Sequence, residues 1–229
     1  MNGRVLSTKG SQIQIVLEIQ GQIFTPDNLL SVVNSNEFQI SQGKISNPLN
    51  PASPPQNTQI YSKDSMMIYL LPSRSIFNNL IFTVLNSYDL KNEKIGDKSV
   101  SEFIKNIMDE LSLVDENISS ITFNFTTRFE STKQPEDQLT RLLQKNFMNK
   151  LKDATLSKSL KVMSIRIGDS FPIKKEGFNI VFEPLISKPD KVFFMQFTKK
   201  IIGRDSLFKL INSFPEILEE LINGVDPND

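Results

Sequence analysis

Residues 13–23 read IQIVLEIQGQI, and apolar and polar side chains alternate along this stretch. One side collects five aliphatic residues, and the other collects three glutamines and a glutamate. A period of two is typical of a strand with one buried and one solvated face. Residues 25–27, with the sequence TPD, then supply a helix cap, a first-turn proline and a first-turn acid. The pattern therefore predicts a half-buried strand followed by a short helix.

Residues 119–130 read SSITFNFTTRFE and show the same alternation about 109 residues further along the chain. Pro135 again starts a predicted helix. An internal duplication of a β-α-β-β-(β/α)-α unit is therefore one hypothesis. The two segments do not align residue by residue, and β-α-β units are common enough for two to look alike by chance. Both explanations stay open at the level of sequence.

The order of elements predicts an α+β fold, in which an antiparallel or mixed sheet is packed by helices on one side. The first half covers residues 1–115 and the second covers residues 116–225, together forming one compact pseudo-repeat unit. The duplicated layout is similar to the saddle of the TATA-binding protein family. No motif, basic saddle or assignable pair of wedge phenylalanines matches, so this likeness of layout implies no function.

Two segments of the first half carry further predictions. Residues 43–58 hold four of the twelve prolines and predict a loop rich in proline, asparagine and serine. Residues 75–87 combine β-forming residues with a helical spacing of apolar positions, and the spacing favours a helix. Ser99 and Glu102 have the separation of a capping box and predict the start of another helix.

The second half is predicted to contain three further strands, near residues 159–168, 177–185 and 190–198. The apolar run at 192–197 predicts a strand covered on both faces. A last helix is predicted from Asp205 to Gly224. We expect it to be interrupted at Pro215, because proline removes a backbone donor and clashes with the preceding turn.

The chemistry open to this chain is narrow. Its 229 residues include no histidine, cysteine or tryptophan, and 26 basic side chains balance 26 acidic ones. The missing types exclude thiolate nucleophiles, Cys-ligated metals and the Ser-His-Asp triad. The nine glycines match neither the dinucleotide-binding nor the P-loop spacing. Adjacent acids such as those at 109–110 diverge on a helix, so we expect no metal, no cofactor and, on balance, no enzyme.

The solvated sides of the two alternating strands provide the first candidate binding surface. Their amides and hydroxyls can hydrogen-bond a peptide, a sugar or a base edge. If the strands lie side by side, they form one polar surface across the sheet. The alternative is that these residue types are simply tolerated on a solvent-facing strand. The candidate residues are Gln14, Glu18, Gln20 and Gln22 on the first strand, and Ser120, Thr122, Asn124, Thr126 and Arg128 on the second.

Arg166 and Glu183 are single charges inside two apolar strands of the second half. If the strands pair, these side chains can meet as a cross-strand ion pair. Such a pair in a cleft can also hold a charged ligand group. A structural pair, or plain exposure to solvent, is the simpler interpretation of both residues.

The function predicted from these features is that of an intracellular, non-catalytic binding or assembly module acting through protein–protein contacts. Self-association is expected from the apolar strand at 192–197 and the last helix. One alternative is a nucleic-acid-associated protein that uses the eleven lysines of residues 145–200. A second alternative is an unrecognised enzyme based on Asp, Glu and Lys. Without an export signal or a long apolar segment, we expect a cytoplasmic protein with no membrane partner.

Overall fold

The computed structural model describes residues 10–20, 26–47, 52, 54–72, 77–131, 134–142, 164–169 and 176–225 of the chain. The strands are β1 (Gln12–Gln20), β2 (Gln39–Ile45), β3 (Gln56–Lys63), β4 (Met66–Pro72), β5 (Phe77–Leu85), β6 (Lys94–Ile95), β7 (Lys98–Ser99), β8 (Ile118–Glu130), β9 (Ile165–Gly168), β10 (Gly177–Pro184) and β11 (Val192–Ile201). The helices are α1 (Pro26–Ser35), α2 (Val100–Glu110), α3 (Pro135–Arg141) and α4 (Arg204–Val225), and a short 3-10 turn spans Asp115–Asn117.

Nine of these strands form one sheet, in the order β2-β3-β4-β5-β1-β8-β11-β10-β9. Every neighbouring pair in it is antiparallel. The short strands β6 and β7 form a separate hairpin that leads into α2. The predicted α+β class is confirmed, and the sheet is the antiparallel one of the two kinds that we considered.

Strands β1 and β8, the two alternating segments of the sequence, pair at the middle of the sheet. Ile13 lies opposite Phe125, and Leu17 lies opposite Ile121. Outward from this pair, each half adds first the last of its strands in this sheet (β5 or β11) and then its earlier strands in reverse order. The shared order is compatible with duplication, which stays a hypothesis.

One hydrophobic core lies between the sheet and the helices. All four helices contribute to it, together with one set of alternating strand residues from both halves. The Phe214 ring of α4 has its centroid 4.9 Å from the Phe123 and Phe125 centroids and 5.5 Å from that of Phe197. We call this helix-packed side of the sheet the near face and the opposite side the far face.

The prediction of a helix over residues 75–87 is wrong, because the structure places the strand β5 there. β5 pairs with β1 along one edge and with β4 along the other. Residues 79–84 are all buried, so both faces of the strand are covered as well. Leu80 and Phe82 enter the core on the near face, while Ile81 is buried on the far face. A strand buried on both faces does not alternate, and its apolar positions can imitate a helical period.

The loop predicted at residues 43–58 is shorter than expected. β2 extends to Ile45, and β3 begins at Gln56. Gly43 sits inside β2 opposite Thr58, where an added Cβ atom would lie 2.6 Å from the Ile60 Cδ1 atom. Residues 48–51 and 53 lie outside the described residues.

The predicted start of α2 is confirmed. The Glu102 backbone N–H donates to the Ser99 hydroxyl oxygen at 3.2 Å, and the Ser99 backbone N–H donates to Glu102 Oε2 at 3.1 Å. The Ser99 backbone N–H, followed by its hydroxyl, lowers the pKa of the Glu102 carboxyl. This reciprocal pair satisfies two donors that a helix start leaves open.

Helix α4 is not interrupted at Pro215, contrary to prediction. It runs continuously from Arg204 to Val225. The Ser213 hydroxyl, two residues before the proline, donates to the Lys209 carbonyl of the preceding turn at 3.0 Å. Leu210, Phe214 and Leu218 bury one stripe of this helix in the core on both sides of the proline. That burial outweighs the local cost of proline.

The strands predicted near 177–185 and 190–198 are confirmed as β10 and β11. Of the strand predicted near 159–168, only residues 164–168 lie among the described residues, and β9 occupies Ile165–Gly168. β11 is an interior strand, and its Phe193, Met195 and Phe197 side chains are buried in the core. Three of the apolar residues that suggested self-association therefore pack inside the chain, while Phe194 is half-buried on the opposite side of the sheet.

Candidate binding surface

The pairing of β1 with β8 brings most of the predicted polar residues together on the far face. Strand alternation puts Gln14 and Glu18 of β1 on this face, and Thr122, Asn124 and Thr126 of β8 beside them. Gln14 lies opposite Asn124, and Glu18 lies opposite Ser120. The expected side-by-side arrangement of the two strands is therefore present.

Gln14 belongs to a hydrogen-bonded group that crosses three strands. Its Nε2 atom donates to the Tyr69 phenol oxygen at 3.3 Å and to the Thr83 hydroxyl oxygen at 3.5 Å. The Tyr69 and Thr83 oxygens are themselves 3.3 Å apart. Tyr69 and Thr83 lie on β4 and β5, so this group joins the first half of the sheet to its centre.

Glu18 and Gln20 occupy the other end of β1. The Ser120 hydroxyl donates to Glu18 Oε2 at 3.3 Å across the β1–β8 pair. Gln20 is exposed and lies opposite Phe77 at the end of β5. Gln22 lies outside the described residues.

Burial divides the far face into a closed centre and a more accessible end. In the closed centre, Val16, Tyr69, Leu71 and Ile81 form a small hydrophobic cluster of their own. Thr122 and Asn124 beside it are only 3% and 9% exposed. The centre is therefore much more buried than the solvated surface that the sequence predicted.

The accessible end lies toward the carboxyl end of β8. Gln12, Thr126 and Gln196 stand in one row across β1, β8 and β11, and all three are half-buried. The next row begins with Arg128, an exposed residue opposite the half-buried Phe194. We call these two rows, with Glu183 described below, the open end of the far face.

Arg166 and Glu183 are not directly opposite each other. Arg166 of β9 lies opposite Val181, whereas Glu183 of β10 lies opposite Phe194. The two charges are diagonal neighbours on the far face. Arg128, Phe194 and Glu183 form one row across three strands, so the phenyl ring lies between an arginine and a glutamate.

Two buried polar side chains of the closed centre have no hydrogen-bond partner. They are Asn79 of β5, 1% exposed, and Thr122 of β8. Buried polar groups are nearly always paired, so an unpaired amide and hydroxyl are costly. The sequence did not single out Asn79, because the predicted helix over 75–87 assigned it to no sheet face.

Tyr69 is the titratable residue of the closed centre. Burial raises the pKa of its phenol, while its hydrogen bonds with Thr83 and Gln14 act in the opposite direction. Desolvation is the larger effect because it disfavours the charged phenolate. Tyr69 is therefore a neutral hydrogen-bonding group at physiological pH.

The charges of the far face balance. Its described strands carry three basic residues (Arg128, Arg166 and Lys200) and three acidic residues (Glu18, Glu130 and Glu183). Of the eleven lysines in residues 145–200, seven lie outside the described residues. Lys199 alternates onto the near face, and Lys188 and Lys191 lie in the turn between β10 and β11. No basic surface is assembled by the described strands.

A groove of about 1030 Å³ lies on the helix side, between α2, α4 and the β6–β7 hairpin. Its lining includes five basic and five acidic side chains, so it favours neither anions nor cations. Within the described ranges, no three acidic side chains stand close enough to hold a metal ion. The described lining of the groove therefore offers mixed charge.

Comparison of the chain with protein-family models, with curated proteins and with solved structures finds no match. Among the helices that the structure describes, none is both long and apolar enough to cross a bilayer.

Proposed function

We propose that the chain is an intracellular, non-catalytic binding module that contacts another protein through the open end of the far face. The observation that supports this proposal is the two-row surface on β1, β8, β11 and β10. It combines amides and a hydroxyl with one aromatic ring and an arginine. Aromatic residues and arginine are enriched in protein interfaces, and amides supply adaptable hydrogen bonds.

The charge of this surface favours a protein over a nucleic acid. Binding to a phosphate backbone draws most of its free energy from basic side chains. At the open end, the guanidinium of Arg128 is offset by the carboxylate of Glu183 in the same row. A mixed, nearly neutral surface of this kind suits a partner that also presents polar and apolar groups.

The rigidity of the scaffold supports the same proposal. The β1–β8 and β8–β11 pairs hold the two rows in register, and Phe125 and Phe129 anchor β8 in the core below them. Side chains on interior strands are positioned more accurately than side chains on loops. The surface is therefore formed before a partner arrives, which lowers the entropic cost of binding.

The test compares Thr126→Arg with a matched control, Ser206→Arg, which places the same charge on an exposed position of α4. Each tagged protein is expressed in its native host, crosslinked and purified after nuclease treatment. We expect at least one protein to co-purify with wild type and Ser206→Arg and to be lost with Thr126→Arg. The reason is that a long charged side chain in the middle of the interface blocks close packing.

The same variants also test whether the far face binds a nucleic acid instead of a protein. An added arginine strengthens binding to a phosphate backbone, and it does so most at low salt. If Thr126→Arg increases the recovery of nucleic acid in samples without nuclease, the far face binds polynucleotides and the proposal fails. The proposal also fails if both arginine variants retain every protein that the wild type recovers.

A further inference from the structure

Strand β2 forms an exposed edge of the nine-stranded sheet. In the described part of the chain its one strand neighbour is β3. Five of its seven residues are exposed, and Ile40 is 50% exposed. Among the described residues, no second strand pairs with β2 on the side away from β3. One row of its backbone N–H and C=O groups is consequently unpaired by strand contacts.

The edge has few of the features that usually prevent strand addition, and Lys44 is the one protective charge on it. β2 contains no proline, its register with β3 is regular, and Lys44 is its one charged residue. β9, at the other end of the sheet, has four residues, which limits pairing by length. A regular, nearly uncharged edge of seven residues accepts an additional strand readily.

We propose that β2 pairs with β2 of a second copy of this chain, antiparallel about a twofold axis through Gln42. In this register Gln42 faces Gln42, Ser41 faces Gly43, and Ile40 faces Lys44 of the other copy. The near face of one copy continues as the near face of the other, so the two sheets become one. The contact leaves the open end of the far face free, and it stands independently of the proposed function.

The side chains of β2 favour its own copy as the occupant. Lys44 meets Ile40 and never another lysine, so the pairing opposes no like charges. The aliphatic stem of Lys44 covers the exposed Ile40 side chain while its ammonium stays in water. The two Gln42 amides can donate to and accept from each other across the axis. The zero formal net charge of the chain also removes long-range repulsion between copies.

The interface of one strand pair is small. Such contacts give reversible association that depends on protein concentration. We therefore expect a monomer–dimer equilibrium for the full chain in sedimentation velocity between about 1 and 100 micromolar.

Charge variants at the axis test both the partner and the register. Gln42→Lys opposes two ammonium groups at the centre of the pair and is expected to weaken dimerisation at least about tenfold. Gln42→Glu does the same with two carboxylates. A mixture of the two variants places lysine opposite glutamate and is expected to restore the dimer. Ser206→Lys, on α4, adds the same charge away from the edge and should leave association unchanged.

Because Gln42 is exposed, we expect both variants to fold like the wild type. A thermal melt followed by circular dichroism checks the fold of each variant. The proposal is overturned if the wild-type chain stays monomeric across the concentration range. It is equally overturned if Gln42→Lys and Gln42→Glu dimerise as well as wild type. Failure of the mixture to associate more strongly than either variant alone rejects the twofold pairing through Gln42.

Discussion

The Asp115 carboxylate accepts a hydrogen bond from the backbone N–H of Arg204 at 2.8 Å, which attaches the end of the first half to the first turn of α4. The Arg204 side chain also binds the end of the first half. Its guanidinium donates to the Leu113 carbonyl at 2.6 Å and forms an ion pair with Asp109. A helix start leaves several N–H groups without intrahelical partners and favours negative charge. Asp115 thus serves as a cap supplied from a distant part of the sequence.

Replacement of this cap should weaken the whole fold. We expect Asp115→Ala to lower the free energy of unfolding by about 1 kcal/mol, the usual effect of losing a cap. Urea denaturation followed by circular dichroism measures the change. Glu116→Ala is the matched control, because its exposed neighbouring carboxylate should matter by less than about 0.5 kcal/mol. Equal losses for the two variants would contradict the capping role.

Two threonines of β8 provide a paired test of buried hydroxyl groups. Thr122 is 3% exposed with no hydrogen-bond partner, whereas the Thr127 hydroxyl lies 2.7 Å from the Ser11 hydroxyl and is equally buried. Thr127→Val leaves the Ser11 hydroxyl unpaired and should destabilise the protein by about 1 to 2 kcal/mol. Thr122→Val removes an unpaired group and should be neutral or stabilising.

Chemical denaturation of both valine variants measures this difference directly. The two substitutions have the same size and lie on the same strand, so changes in β-propensity largely cancel. A loss for Thr122→Val as large as that for Thr127→Val would show that the Thr122 hydroxyl has a partner in solution.

Phe214 is the aromatic centre of the core. It contacts Phe123, Phe125 and Phe197 and is 1% exposed. We expect Phe214→Ala to cost about 3 to 5 kcal/mol in a denaturant titration, because it leaves a cavity between the sheet and α4. Phe208→Ala, at a partly buried position of the same helix, should cost clearly less. Similar losses at both positions would contradict this account of the core.

The buried phenol of Tyr69 should make stability fall at alkaline pH. Burial raises its pKa in the folded state, so the unfolded chain releases the proton first, near pH 10. The contribution of the protonated phenol is fully present below that pH and is lost as the pH rises through the folded-state pKa. We expect wild type to lose more unfolding free energy than Tyr69→Phe between about pH 8 and pH 11.

The comparison of slopes isolates Tyr69, because both proteins share the same lysines and the other two tyrosines. Tyr69→Phe also loses the contacts with Gln14 and Thr83, and that effect appears as a constant offset at neutral pH. Parallel losses of stability in the two proteins would show that the phenol is not protected by burial.

The local sequence pattern was sufficient to predict strands that have one solvated face and a helix whose start carries a capping box. The alternation around Ile13 and Phe123 identified β1 and β8, and Ser99 with Glu102 identified the start of α2. The pattern misled where tertiary packing dominates. β5 is covered on both faces, and α4 continues through Pro215 because its stripe is buried on both sides of the proline.

The candidate surface was only partly accessible from sequence. The polar alternation located Gln14, Asn124 and Thr126 on one side of their strands, and the pairing of β1 with β8 brings them together. Register between distant strands depends on packing across the sheet, so the row of Arg128 with Phe194 had no sequence signal. For the same reason, the burial of Thr122 and the unpaired amide of Asn79 became visible only in three dimensions.

The central position of β1 has a consequence for synthesis on the ribosome. β1 is translated before the other strands of the sheet, and its partner β8 does not begin until Ile118, after the rest of the first half has been made. Until then one edge of β1 has no partner strand. Strand edges of this kind recruit other chains, and distant pairings form slowly. Protection of the nascent first half by a chaperone, or rapid translation through residue 130, therefore matters for the yield of folded protein.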